Sequence, residues 1–520
     1  MANASTTPEL SLSFSDLTET TITSSRPLAG SELRQVFTRG IQGFSDLYVI
    51  LAFNSPSARP VYDDHVVLAL AALRIRNPLL SCHVSFVGSV PAYVCAAPMT
   101  ERHALKEARD MVEFSTFRTR DQSVAALRKR WSEGVDPRDT LDIRQGIIRF
   151  VWMKGGVGSA EGQYIFGLQE PHFVTDARRQ IRVVRQFLEL LVDVDRAHGD
   201  LMGYFSGPRR PLRIPDSLED WLPKMQISDT QMEAQDAYNK LIQASTLPRG
   251  GRIPDGTGAK DDAIPREDLR VWSREDTKRI LSACSAHGVT ITHIACAAMA
   301  LAAMEMDANS ESPLPISPNG PQGFCLGNAI DLMARADSEA RELESEQSAR
   351  IVTFPVYIVA PPSAYAATHK MEVLWSLAKQ CRDNTRAFVQ SPHFWQFVQL
   401  ARATMTEDLL GRVASKPSVP YLSSIGDLDR ELPRHYPFVS SSTMPEEGGQ
   451  AAVPALYIAK MTQGVKPNQF IDAIQMWTYD KCLHMSLLYN ASRMTPVSMI
   501  SYFSRAQDII SSLSVVNPKF

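Results

Sequence analysis

No pattern in the sequence commits it to a metal or to disulfides. The seven cysteines, at positions 82, 95, 284, 296, 325, 381 and 482, are odd in number and form no C-x-x-C pair, so reduced and mostly buried thiols are expected. An H-E-x-x-H helix and a Cys/His cluster at metal spacing are both missing, so the chemistry requires no metal. No G-x-S-x-G elbow offers a covalent serine route. Charge of one sign is missing too: 54 Lys and Arg against 57 Asp and Glu leave a net charge of −3, which gives no field to hold a polyanion, and nucleic acid is not an expected partner. The first 25 residues carry no basic region followed by an apolar core, so no secretory signal is expected there. The most apolar stretch, Ile291 to Met306, is short for a span, is interrupted by His293 and Glu305 and reads as a buried core helix, which leaves no expected membrane segment and a cytoplasmic location.

What is present is enough apolar sequence for a large fold. The chain has 520 residues, 44% of them hydrophobic and 21% charged, the proportions of a folded chain long enough for two lobes. Residues 1–30 are polar and expected to be a flexible arm, with an N-terminal lobe over 31–225 and a C-terminal lobe over 226–520. The apolar run 43–53 reads as a strand, and 66–75 as a buried helix that stops near Asn77 because Pro78 disfavours helical geometry in the residue before it. Strands at 147–153 and 163–169 flank a glycine-rich loop and predict a hairpin; that loop lacks the Lys-Ser/Thr ending of a phosphate loop and leads into a strand. Pro and Gly crowd the connecting region 205–265, broken by a helix near 229–244. Helices at 273–287, from Thr292 as N-cap, and at 496–514, with strands at 351–359 and 453–460, complete an α/β chain whose halves each mix strands with helices.

One segment points to chemistry. Directly after the strand ending near Gln169 comes Glu170-Pro171-His172-Phe173-Val174-Thr175-Asp176-Ala177, and the following Ile181, Val184, Phe187, Leu188 and Leu191 recur at helical spacing. His172 therefore sits on a strand-to-helix corner, where a side chain is both rigidly held and exposed. An imidazole there can take a proton from an alcohol, while Asp176, four residues on, lies at the first helical turn and fixes the loop.

These residues bring a resemblance into view. The H-x-x-x-D segment is similar to the signature of the acyltransferase superfamily that contains nonribosomal peptide condensation domains and the plant BAHD enzymes. Supporting pieces follow in order: LRIRNPLLSCHV at 73–84, HGVTITHIACAAMALA at 287–302, the strand Phe324 to Asp331, and Tyr421-Leu422-Ser423-Ser424-Ile425-Gly426. The likeness runs from about residue 33 to 515, and SSIGDLDRELPRHY with the chain length most resembles the fungal trichothecene 15-O-acetyltransferase group. The resemblance implies two chloramphenicol-acetyltransferase-like lobes, each a mixed sheet with helices, and a site at their junction. It implies acetyl transfer from acetyl-CoA, as co-substrate with no bound cofactor, to a hydroxyl of a terpenoid-like metabolite, with His172 as general base. Ser423 and Ser424 become candidates for stabilising the oxyanion, and sequence does not choose between them. A monomer is expected because both lobes lie in one chain.

The departures from the family matter. Pro171 replaces the first histidine of the condensation signature and Ala177 its glycine, as suits small-molecule acceptors. Met333 stands where the family has an arginine for the motif's carboxylate; if the strand continues, Arg335 shares that face and is the candidate partner of Asp176. The BAHD sequence D-F-G-W-G is replaced by DLDRELP at 427–433. Two alternatives stay open: a carrier-bound acyl donor, and a non-catalytic binding protein that retains the fold.

Overall fold

The run Leu47 to Phe53 forms a strand buried on both sides, since Val49, Leu51 and Phe53 enter one apolar cluster and Tyr48, Ile50 and Ala52 another. A strand with no polar face must be central in its sheet, and the architecture grows outward from it. A computed structural model describes residues 22–515 apart from 58, 89, 135, 157, 159–160, 209, 224–228, 244–252, 254–263, 310–321, 336–347, 361–369, 404–419, 440–453 and 468–471.

In chain order, the first part supplies β1 (Thr23–Pro27), α1 (Gly30–Arg39), β2 (Asp46–Asn54), α2 (Asp63–Arg76), β3 (Cys82–Ser85), β4 (Ala92–Ala96), α3 (Glu101–Asp110), β5 (Val112–Phe117), α4 (Arg120–Glu133), β6 (Arg149–Gly155), β7 (Gln163–Pro171), α5 (Ala177–Val192) and α6 (Val194–Phe205). There follow α7 (Leu218–Trp221), α8 (Asp229–Leu241), β8 (Pro265–Val271), α9 (Arg274–Ala286), α10 (Ile291–Ala308), β9 (Gln322–Asp331), β10 (Ile351–Ala360), α11 (Lys370–Val389), β11 (Tyr421–Asp427), β12 (His435–Pro437), β13 (Ala455–Val465), β14 (Ala473–Tyr479), β15 (Cys482–Asn490) and α12 (Pro496–Val515). They build two mixed α/β lobes on six-stranded sheets, ordered β12-β13-β2-β7-β6-β5 and β10-β9-β11-β14-β15-β8, with a three-stranded sheet β1-β4-β3 beside the first.

Helix α2 stops before Pro78 as expected, and β6 pairs antiparallel with β7, as the hairpin reading required. Three expectations are corrected. The strands do not divide at residue 225: β13 returns to pair with β2, Met461 opposite Leu51, and so covers an edge the first lobe would otherwise leave open. The N-terminal arm does not extend to residue 30, because β1 pairs with β4; its alternating exposure, one face polar, is what makes an edge strand look like an arm in composition. Residues 1–21 lie outside the described residues. Helix α10 is capped from Thr290, whose amide donates to His293 Nδ1 at 3.1 Å, and not from Thr292. By length and composition α10 is long and apolar enough to cross a membrane, yet 72% of it is buried inside the molecule.

The two lobes are clamped by Glu267 of β8, whose carboxylate accepts from Tyr48 Oη at 2.6 Å and Arg128 Nε at 2.9 Å in the first lobe and from Ser486 Oγ at 2.9 Å in the second. That carboxylate is almost sealed from solvent, so the three donors offset its desolvation.

Candidate active site

The His172 corner is rigid for reasons visible in its neighbours. β7 ends at Pro171, paired with Asp46 of β2, and the chain turns through residues 172–175 into α5. Phe173 and Val174 are buried in the small core under β3 and β4, and Tyr93 Oη donates to the Phe173 carbonyl at 3.2 Å. Asp176 is the N-cap of α5. Its Oδ1 accepts the Arg178 and Arg179 amides at 3.1 Å each, and its Oδ2 accepts the Arg350 amide at 3.1 Å and lies 3.4 Å from Arg179 Nε. The carboxylate thus ties the helix end to a second-lobe loop, and its hydrogen bonds go to backbone amides and not to the imidazole.

His172 bonds elsewhere: Nδ1 lies 3.1 Å from the Thr175 carbonyl oxygen. A carbonyl only accepts, so Nδ1 carries a hydrogen, and in the neutral ring Nε2 keeps its lone pair. The ring borders a cavity of about 380 Å³ at the lobe junction, whose wall includes α1 residues such as Gln35 and Thr38, Ala329 of β9, and Ser423 and Gln475 on β11 and β14.

The two candidate serines part company. Ser423 lines the His172 cavity, whereas Ser424, one residue along β11, points to the other face and shares a 2.7 Å hydrogen bond with Thr292 Oγ1. Ser424 and Thr292 border a second groove of about 780 Å³ formed by α9, α10, β11 and β14. Its basic side chains Arg274, Lys278 and Lys481 stand among the acidic Glu275, Asp427 and Asp429.

Arg178, the second residue of α5, crosses to the second lobe. Its Nε donates to the Ile425 carbonyl of β11 at 2.8 Å, and its Nη1 lies 3.7 Å from Asp331 at the end of β9. Gly426 permits this approach: its φ is +95°, and a Cβ there would fall 2.6 Å from Arg178 Nη2. Burial, with the neighbouring charge of Asp176, raises the carboxyl of Asp331 above its ordinary range.

Arg335 is not the partner of Asp176. Strand β9 ends at Asp331 and the chain enters a 3₁₀ turn, Leu332–Arg335, so the two-residue alternation that linked Arg335 to Met333 does not apply. Met333 is buried, and the exposed Arg335 places its guanidinium 5.3 Å from the Phe394 ring centroid. Arg179 stands beside Asp176 instead, and its spacing of three residues from an N-cap carboxylate was a readable signal. Arg350, Gln475 and the contact of Thr292 with Ser424 escaped sequence reasoning because each depends on pairings between distant segments. The segment DLDRELP has its own work: Leu428 and Leu432 enter the first-lobe core, and the Asp429 carboxylate accepts the amides of Asp480 and Lys481 in the β14–β15 turn at 2.7 and 3.0 Å.

Solved structures share this architecture. A trichothecene 15-O-acetyltransferase from Fusarium sporotrichioides superposes with a TM-score of 0.70 at 15% identity, over 94% of this chain and 95% of that one. The first condensation domain of the calcium-dependent antibiotic synthetase gives 0.59 at 14% identity, over 94% and 96%. Polyketide synthase associated protein 5 from Mycobacterium tuberculosis gives 0.57 at 13%, over 94% and 98%. The chain has their fold. At these identities the likeness is one of fold, two chloramphenicol-acetyltransferase-like lobes, and no protein-family model or curated protein matches the sequence. Among the described residues no group of three or more His, Cys, Asp or Glu is placed to hold a metal ion.

Proposed function

We propose that the protein is an O-acetyltransferase that moves an acetyl group from acetyl-CoA to a hydroxyl of a secondary metabolite, a trichothecene or another terpenoid-like alcohol. One observation carries this reading: a histidine with a fixed Nδ1–H and a free Nε2 borders a cavity of about 380 Å³, while the strand that supplies Ser423 to that cavity turns Ser424 toward a separate groove. A two-substrate transfer needs such access from two sides, and the cavity is within the range, roughly 300–1,000 Å³, that holds small molecules.

In this reading Nε2 of His172 takes the acceptor's proton as its oxygen attacks the thioester carbonyl. Ser423 donates to the oxyanion that forms, and its collapse expels the CoA thiolate, which recovers the proton from the imidazolium. The products are an acetate ester and CoA. Asp176 keeps the corner in place without joining the proton transfer. The donor enters from the groove of Lys278 and Lys481, where cations can meet its phosphates.

The test is incubation of purified protein with labelled acetyl-CoA and a panel of oxidised sesquiterpenoids and polyketides, beside the same panel with an acetylated carrier protein. A labelled ester from free acetyl-CoA is the expected result. Label transferred only from the carrier would replace the donor, and no ester from either donor would leave a binding protein.

A further inference from the structure

The wall of the His172 cavity contains a polar group with nothing to bond to. Gln475 is 5% exposed, and its side-chain oxygen is buried without a hydrogen-bond partner. Folded proteins pair nearly all such atoms, because a buried polar group left unbonded has given up its water for nothing in return. Its neighbours in the sheet supply no partner among the described residues. On β15 the residue opposite Gln475 is Ser486, and that hydroxyl is already given to Glu267. On β11 the residue in register is Ser423, which faces the same cavity. Ile474 and Met476, on either side of Gln475 along β14, turn the other way into the second-lobe core, so strand alternation holds the amide on the cavity side.

We infer that Gln475 is a specificity-determining residue whose amide oxygen accepts a hydrogen bond from a second hydroxyl of the acceptor, one that stands close to the hydroxyl being acylated. The closeness follows from the register: Ser423 and Gln475 sit on adjacent strands, about 4.8 Å apart in backbone, so an acceptor whose hydroxyl attacks the carbonyl held at Ser423 presents its neighbouring substituents to Gln475. The acceptor class is thereby narrowed from alcohols to diols and more highly oxygenated molecules. An N–H of the acyl donor would offer the same chemistry, but Gln475 lines the cavity of α1 and His172 and not the groove of Ser424 and Thr292. The inference rests on the reading of that cavity as the acceptor site.

The experiment is calorimetric binding of a rigid sesquiterpenoid diol with neighbouring hydroxyls, and of its mono-deoxy analogue, to the full-length wild type, Gln475→Met and Gln475→Glu, with CoA binding measured alongside. The wild type is expected to favour the diol about tenfold, the scale of one hydrogen bond made in place of an orphaned amide. Gln475→Met keeps the length and removes the acceptor; the preference should fall to within about twofold with CoA affinity unchanged. Gln475→Glu retains acceptor oxygens alone and should keep the preference. Equal wild-type affinity for diol and analogue would overturn the inference, and a preference surviving in Gln475→Met would overturn it as well. If CoA affinity falls in Gln475→Met while the diol preference persists, the amide serves the donor instead. Failure of the wild type to bind either terpenoid while still binding CoA would sink the acceptor reading of the cavity itself, and this inference with it.

Discussion

The two faces of β11 meet different surroundings although they are one residue apart. Ser423 opens on a cavity walled by both lobes and shared with His172; Ser424 is already bonded to Thr292 and belongs to a wider groove built from the second lobe alone. The strand therefore acts as a partition, with Arg178 reaching from the first lobe to hold its Ile425 carbonyl and Gly426 giving the guanidinium room. Period-two alternation, which elsewhere in the molecule separates core from solvent, here separates the cavity from the groove. Under the proposed function, chemistry belongs to the first face and donor binding to the second, and substitutions on the two should differ in kind.

The largest effect is expected at His172. His172→Ala should lower kcat about 10² to 10⁴-fold, the range of a general base, without unfolding the protein, because Phe173 and Val174 anchor the turn independently. Steady-state rates with circular dichroism check this, and a variant retaining more than a tenth of wild-type kcat would remove the base from the mechanism. Ser423→Ala comes next. Loss of one oxyanion donor costs about 10² to 10³-fold in well-ordered sites, whereas Ser424→Ala should leave kcat within about threefold because its hydroxyl is spent on Thr292. The reverse ranking would break the comparison at its centre.

Asp176→Asn separates geometry from chemistry. Asn still caps a helix, but the variant gives up the charge beside Arg179, both groups being about 5% exposed. A fall of about tenfold in activity together with a lower melting temperature is expected; full activity at wild-type stability would show that the ion pair holds nothing in place.

How much of this was legible beforehand depends on the range of each interaction. Local features could be read: the strand at β2, the stop of α2 before Pro78, and the strand-to-helix corner at His172 are all decided within a few residues. The return of β13 to the first lobe could not, because its pairing with β2 spans some 400 positions and nothing in 455–465 states which open edge it fills. Arg335 failed for a related reason: the argument needed β9 to continue past Asp331, and sequence seldom fixes the last residue of a strand. Gln475 is an ordinary polar residue in its own segment and becomes unusual only once Ser423 and Ser486 stand on either side of it.

The smallest effect expected is on the groove, and it is the sharpest test of partition because it is one-sided. Lys278 is an exposed residue of α9 bordering that groove, away from His172. Lys278→Glu reverses a charge in a mixed setting that already holds Glu275, Asp427 and Asp429, and water and salt screen it. The KM for acetyl-CoA should therefore rise by only about three- to tenfold, with kcat and the acceptor KM unchanged. Added salt should shrink the gap between variant and wild type, because the lost attraction is Coulombic and reaches about 10 Å at 0.1 M ionic strength. A rise in the acceptor KM instead would mean that the alcohol enters through the groove, and the roles assigned to the two faces of β11 would have to be exchanged.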